Sequence, residues 1–319
     1  FGPIVDRFGH KALLLLSCLV VLLGLEGIAF FTSIPLLQVS IIGIGLGGGI
    51  LNGETNALVA DISNEAEKGS RLSLLGAFYG IGALGIPVLL SFLSEYYSFE
   101  IILQGTGMVM LIGILFCLGI RFPAPKQPQG FPIKEGLGLL KESSLLLLSF
   151  ILFFQSGIEG VCNNWTTLYL GQTTGIPENR ALIALTCMVA GLTVARLLLV
   201  VLFKKIKQET VLRTSLITAV AGFALLTFAP GFARAAIGMA LIGAGLASTF
   251  PVILSIIGSR YASLSGTAFS VALVIALIGQ TLLNSLTGII SQGYGIVVYP
   301  YMMIVSLLIM LLLFKRSLK

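Results

Sequence analysis

Charge is what this sequence has least of. Of its 319 residues only 13 are acidic and 19 basic, 10% of the chain in all. A soluble domain of that length needs far more ionised surface to cover its core, so a water-soluble globular protein is excluded. A single histidine, with no clustered nucleophile, base or metal-ligand residues, gives an enzyme nothing to work with and predicts neither a metal nor a cofactor. The four cysteines all fall inside apolar runs, with neither disulfide-scaffold nor zinc spacing, and read as small apolar residues. A Gly-x-x-x-x-Gly-Lys-Ser/Thr loop is missing as well, which disfavours ATP-driven pumping.

What is there is apolar material in long runs, with a mean hydropathy of +1.04. A run of about 20 residues crosses a hydrocarbon core of roughly 30 Å at about 1.5 Å per residue. Ten spans are predicted, at 11–31, 36–60, 70–94, 101–121, 145–170, 181–204, 210–229, 233–258, 265–290 and 295–314. The fold class expected is an all-α polytopic membrane helix bundle. Sixteen of the nineteen Lys and Arg residues fall at alternate connections or at the C-terminus, leaving Arg180, Arg234 and the intramembrane Arg196 elsewhere. The positive-inside rule assigns that side, and both ends of the chain, to the cytoplasm. The net charge of +6 is therefore topological and calls for no nucleic-acid partner.

The longest polar interruption, Arg121 to Ser144, holds Pro123, Pro125, Pro128 and Pro132. It divides the chain into an N-terminal bundle at 1–121, a cytoplasmic linker at 122–144 and a C-terminal bundle at 145–319. A repeat crosses that boundary. Ile42-Gly43-Ile44-Gly45-Leu46 returns as Ile242-Gly243-Ala244-Gly245-Leu246, and with a three-residue slip Gly69, Ser73, Gly82, Ser94 and Tyr97 return as Gly266, Ser270, Gly279, Ser291 and Tyr294. The matched segments run in the same direction, so the repeat is parallel. It leaves residues 145–204 without partners, and predicts about 55 further residues, carrying two helices, ahead of Phe1.

The opening Gly2-Pro3-Ile4-Val5-Asp6-Arg7-Phe8-Gly9-His10-Lys11 resembles the major facilitator signature Gly-x-x-x-Asp-Arg-x-Gly-Arg-Lys. That signature lies between helices two and three of the superfamily, so the resemblance also implies that this chain holds helices 3–12 of twelve. Physically, it is a glycine turn presenting Asp6 near basic residues and a helix end, a cytoplasmic latch. His10 stands where the family has Arg and is read as a loop residue rather than a proton carrier. Within the superfamily the chain is similar to the fucose permease-like sugar:proton symporters. The likeness rests on Gly43 to Gly49 leading to Asn56, on the Glu159 to Tyr169 stretch, on Gly191 to Arg196 and on Gly266 to Ser270. The resemblance implies alternating access about a central cavity and proton-driven sugar uptake.

In-span polar residues are the candidates for function, because an ionised group at membrane depth is costly without a cavity or a partner. Glu54, within Asn52-Gly53-Glu54-Thr55-Asn56, is expected to line the cavity, either as a proton-coupling carboxyl or as a structural hydrogen-bonding one. The family's Glu-Thr-x-x-Asn pattern can be matched on Glu54 or, through Asn56, on Asn52. At 100° per residue Asn52 and Glu54 lie about 200° apart, so they face one point only if the glycines distort the helix. Asn52 and Asn56, one turn apart, form one candidate wall for the solute. Gln155, Glu159 and Asn163 recur every four residues as a second wall, with Glu159 a further proton-coupling candidate. Trp165 is either a surface for a sugar ring or an interface anchor. Gln280 and Asn284 form a third wall, for a polyol or as interhelical glue. Asp6, Arg7 and Arg196 are the expected cytoplasmic gate, and Glu26 is unassigned.

Together these residues predict a secondary active transporter in the plasma membrane, the bacterial inner membrane, that moves a small sugar-like solute with protons as a monomer. The alternatives are proton-driven efflux of amphipathic compounds, whose cavity should be more aromatic, and a non-transporting sensor on the same bundle.

Overall fold

The computed structural model describes residues 1–126, 138–228 and 231–317. Lipid offers backbone groups no hydrogen bonds, so apolar runs of this length satisfy themselves as helices. Among the described residues ten helical stretches are long and apolar enough to cross a membrane. In chain order the helices are α1 Gly2–Phe8, α2 His10–Phe30, α3 Ile34–Ile62, α4 Lys68–Leu93, α5 Phe99–Gly119, α6 Ser143–Thr174, α7 Glu178–Leu202, α8 Gln208–Phe228, α9 Phe232–Leu246, α10 Thr249–Arg260, α11 Ser265–Tyr294 and α12 Tyr299–Ser317. Much of the expected 122–144 linker lies outside the described residues.

Two expectations change. The opening segment is not a loop: Pro3 sits in the first turn of α1, where its missing N–H costs nothing, and Gly9 at φ 81° breaks α1 from α2. His10 is accordingly the first residue of α2. The predicted span 233–258 is two helices rather than one, α9 and α10, parted at Ala247-Ser248. Pro251 cannot donate to a carbonyl four residues back, which weakens the ladder at that point.

The described chain forms two compact units. Unit 1 is Phe1–Ile62, Gly85–Leu137 and Tyr261–Ser270; unit 2 is Ser63–Leu84, Gly138–Arg260 and Val271–Lys319. Each unit thus draws on both sides of the expected linker. In unit 1, α2 and α3 approach through small residues: a side chain on Gly24 would begin 2.8 Å from the Ser40 carbonyl, and one on Gly47 2.8 Å from that of Ser17. The Lys11 ammonium caps α5, donating to the carbonyls of Leu118 and Ile120 at 2.8 and 3.2 Å.

In unit 2, α9 is wedged between α7 and α8, with Gly243 against the Met188 carbonyl and Gly238 against that of Gly222. Helix α6 is the most buried long element beside it. Its Thr166 and Cys162 meet the buried Tyr299 hydroxyl of α12, and Tyr169 packs edge-on to the same ring.

Candidate functional site

Unit 1 collects charge. The Asp6 carboxylate, 1% exposed, accepts hydrogen bonds from the Gly266 N–H at 3.1 Å, the Thr267 N–H at 2.9 Å and the Thr267 hydroxyl at 2.6 Å. Those are free N–H groups in the first turn of α11, where a carboxylate is favoured both as acceptor and as charge. Ser270, one turn further along α11, accepts from the Gly2 N–H at 2.7 Å. The expected contact between Asp6 and a helix end is therefore present. Arg7 stands over the ring of Phe8, 5.1 Å from its centre.

Behind this contact lies a cluster the sequence reading did not assemble. His10 is buried, with Nδ1 2.8 Å from Glu54 Oε1 and Nε2 2.9 Å from Asp61 Oδ2. Asp61 in turn accepts from the Ser265 hydroxyl at 2.8 Å and pairs with the Lys126 ammonium at 2.6 Å. His10 is thus no loop residue. The sequence carried one part of this cluster: Glu54 and Asp61 are seven residues apart, two helical turns, and share one face of α3.

Glu54 does not line an open cavity as expected. Its side chain is 0% exposed and turned to His10, while Asn52, two residues away, is exposed. Asn56 donates to the Asn52 carbonyl at 2.7 Å. The two asparagines share a face, and Glu54 occupies another, as the 200° rotation requires. Glu26, unassigned from sequence, packs its carboxyl against Gly107 of α5.

Unit 2 collects amides. Asn163 is exposed, and its side chain donates to the Glu159 carbonyl at 2.9 Å. Asn164, which the sequence reading passed over, donates to the Asn284 side chain at 2.9 Å, and Asn284 donates to the Gln280 carbonyl at 2.7 Å. Gln280 and Asn284 close over Gly160 of α6, and the Trp165 ring lies over Gly288 of α11. Asn164, Gln280 and Asn284 thus form one face built from α6 and α11, which holds the third expected wall.

Gln155 is not on that face. It is 0% exposed, and its amide donates at 3.1 Å to the Leu246 carbonyl, which the break after α9 leaves without its ordinary helical donor. Successive positions four apart rotate by about 40° on a helix. The stripe therefore winds from buried Gln155 through half-buried Glu159 to exposed Asn163. Arg196 is buried in unit 2, where its guanidinium donates to the Gly76 carbonyl of α4 at 3.1 Å. It does not snorkel toward the helix end. The gate residues thus divide, Asp6 and Arg7 in unit 1 and Arg196 in unit 2.

Comparison with known proteins adds the family. The model of the Major Facilitator Superfamily matches residues 1–282. The chain belongs to the major facilitator superfamily. It is accordingly an integral-membrane transporter and not an enzyme. Among curated superfamily proteins it is 23% identical over 306 residues to the uncharacterized MFS-type transporter YfkL of Bacillus subtilis, covering 92% of this chain and 76% of the relative. Two solved structures share the fold. The E. coli fucose:proton symporter FucP matches with a TM-score of 0.85 at 19% identity, over 99% of this chain and 86% of that one. The human organic anion transporter TETRAN matches at 0.77 and 14% identity, over 98% and 79%.

Proposed function

We propose that this major facilitator moves a small polar solute of the sugar class by proton-coupled alternating access. The observation that carries the reading is the amide face on α6 and α11. Asn163, Asn164, Gln280 and Asn284 each offer donors and an acceptor, which suits a solute whose surface is hydroxyl groups. Trp165 beside them supplies a flat apolar surface for the C–H side of a ring, and the same packing on Gly288 anchors it. FucP, whose fold the chain shares, is a fucose:proton symporter, which supports the same cargo class.

In this reading Glu159 carries a coupling proton beside the amide face and Glu54 carries one in unit 1, while Asp6, Arg7 and Arg196 act in gating. Asn52 and Asn56 are secondary solute contacts, and Gln155 holds the α9 break open to the adjoining helix. The chain works as a monomer in the bacterial inner membrane, with its basic connections in the cytoplasm. Efflux of amphipathic compounds would call for several aromatic rings where these amides are.

Uptake of radiolabelled monosaccharides into proteoliposomes carrying the full-length chain, under an imposed pH gradient, tests the proposal. Gradient-driven accumulation that Glu159→Gln and Glu54→Gln impair is expected. No accumulation of any monosaccharide, or accumulation unchanged in both variants, contradicts it.

A further inference from the structure

We propose that His10 is a proton-relay residue, passing protons between the membrane-embedded Glu54 and Asp61 at the end of α3. The inference rests on the proton-coupled reading above and adds the residue through which one of its carboxyls would exchange protons.

Geometry carries it. Both ring nitrogens face a carboxylate oxygen, at 2.8 Å for Glu54 and 2.9 Å for Asp61, with His10 and Glu54 buried and Asp61 half-buried. A neutral imidazole has one N–H and one lone pair, and a lone pair set against a carboxylate oxygen at that distance is repulsive. Both contacts are favourable only if the ring is doubly protonated or if one carboxyl holds the proton. A proton leaving Nδ1 for Glu54 Oε1 breaks one N–H bond, makes one O–H bond, and turns the ion pair into a neutral pair in which Glu54 donates. The contact to Asp61 survives that transfer. Return of that proton to Nδ1 restores the imidazolium, and transfer of the Nε2 proton then breaks that N–H bond and makes an O–H bond on Asp61, whose carboxylate also meets Ser265 and Lys126.

The second Glu54 oxygen, Oε2, is buried with no hydrogen-bond partner, so His10 is the group that meets this carboxyl by hydrogen bond among the described residues. The other charged groups around His10 are Asp6 on α1, Lys126 beyond α5, and its sequence neighbours Arg7 and Lys11. Lys11 is turned away to the end of α5.

Because the chain has one histidine, a ¹⁵N-histidine label reports on His10 alone. The full chain in lipid bilayers, without solute, is titrated between about pH 5 and 9 while solid-state NMR follows both ring nitrogens. Glu54→Gln and Asp61→Asn should each change the ring's proton affinity about tenfold. An infrared carboxyl band that disappears in Glu54→Gln then reports Glu54 after a pH jump. Its response should slow at least about tenfold in His10→Arg, whose cation keeps the pairing but releases no proton; a purely structural histidine would leave the rate unchanged. A parent-like rate in His10→Arg overturns the relay. So do ring signals that Glu54→Gln and Asp61→Asn leave unmoved, a result available even if the arginine variant does not fold. Either failure leaves the transport reading to the uptake assay, which uses solute and a gradient.

Discussion

Two helices begin at matching points of the internal repeat, α4 at Lys68 and α11 at Ser265, yet different chemistry holds each of them. At α11 a buried carboxylate takes the free N–H groups of Gly266 and Thr267. At α4, in unit 2, the matching Gly69 lies under the neutral amide of Gln208. The hydroxyls of Ser70 and Ser73 donate there to the carbonyls of Val200 and Arg196, both at 2.8 Å. The α4 start carries two charged pairings at 2.7 Å: Arg71 with Glu67, which is exposed, and Lys68 with Glu65, which is partly open to water. With Ser259 it holds the Glu65 carboxyl below the usual carboxylate range, Lys68 first. The repeat has kept the backbone register and changed the hold. The start of α11 depends on a buried carboxylate, and the start of α4 on neutral hydrogen bonds together with ion pairs whose carboxylates are exposed.

Five variants rank that difference, read as thermal unfolding followed by Trp165 fluorescence and as amide exchange at the two helix starts. Asp6→Ala has the largest expected effect. It strips three hydrogen bonds from buried groups, at a cost of about 3 kcal/mol, and should expose the Gly266 and Thr267 amides to exchange. Gly266→Ala comes next, at about 2 kcal/mol, because its new carbon would sit 2.9 Å from the Gly2 carbonyl and 3.0 Å from the Asp6 carboxylate. The matched change Gly69→Ala meets only the movable end of Gln208 and should cost less. Ser73→Ala removes one neutral hydrogen bond, worth about 1 kcal/mol. Gln208→Ala should be the mildest, below about 0.5 kcal/mol, as a surface change away from special features usually is. If Gln208→Ala destabilises as much as Asp6→Ala, the contrast between the two starts is wrong.

The spans were legible because a bilayer imposes a length, and runs such as 11–31 and 36–60 met it. The break between α9 and α10 was not, since the apolar run continues across it and only Pro251 marks it. Asp6 at a helix N-terminus was readable from the signature. The partners of His10 were not: Glu54 and Asp61 are 44 and 51 residues away, and a motif reading stops at the end of the motif. The wall drawn through Gln155, Glu159 and Asn163 ignored the rotation that carries its first member into the core. Asn164, one position off the stripe, was missed for the same reason, because its value comes from Asn284 on another helix.

Reciprocity gives the most direct test of proton-coupled sugar movement: if protons drive the solute, the solute must drive protons. Proteoliposomes of the full chain loaded with a pH-sensitive dye, with no imposed gradient, receive a monosaccharide outside. The account predicts that the lumen acidifies with at least one monosaccharide, and that Glu159→Gln abolishes the change. A lumen pH that stays flat for every monosaccharide, or moves only with amphipathic compounds, would contradict it.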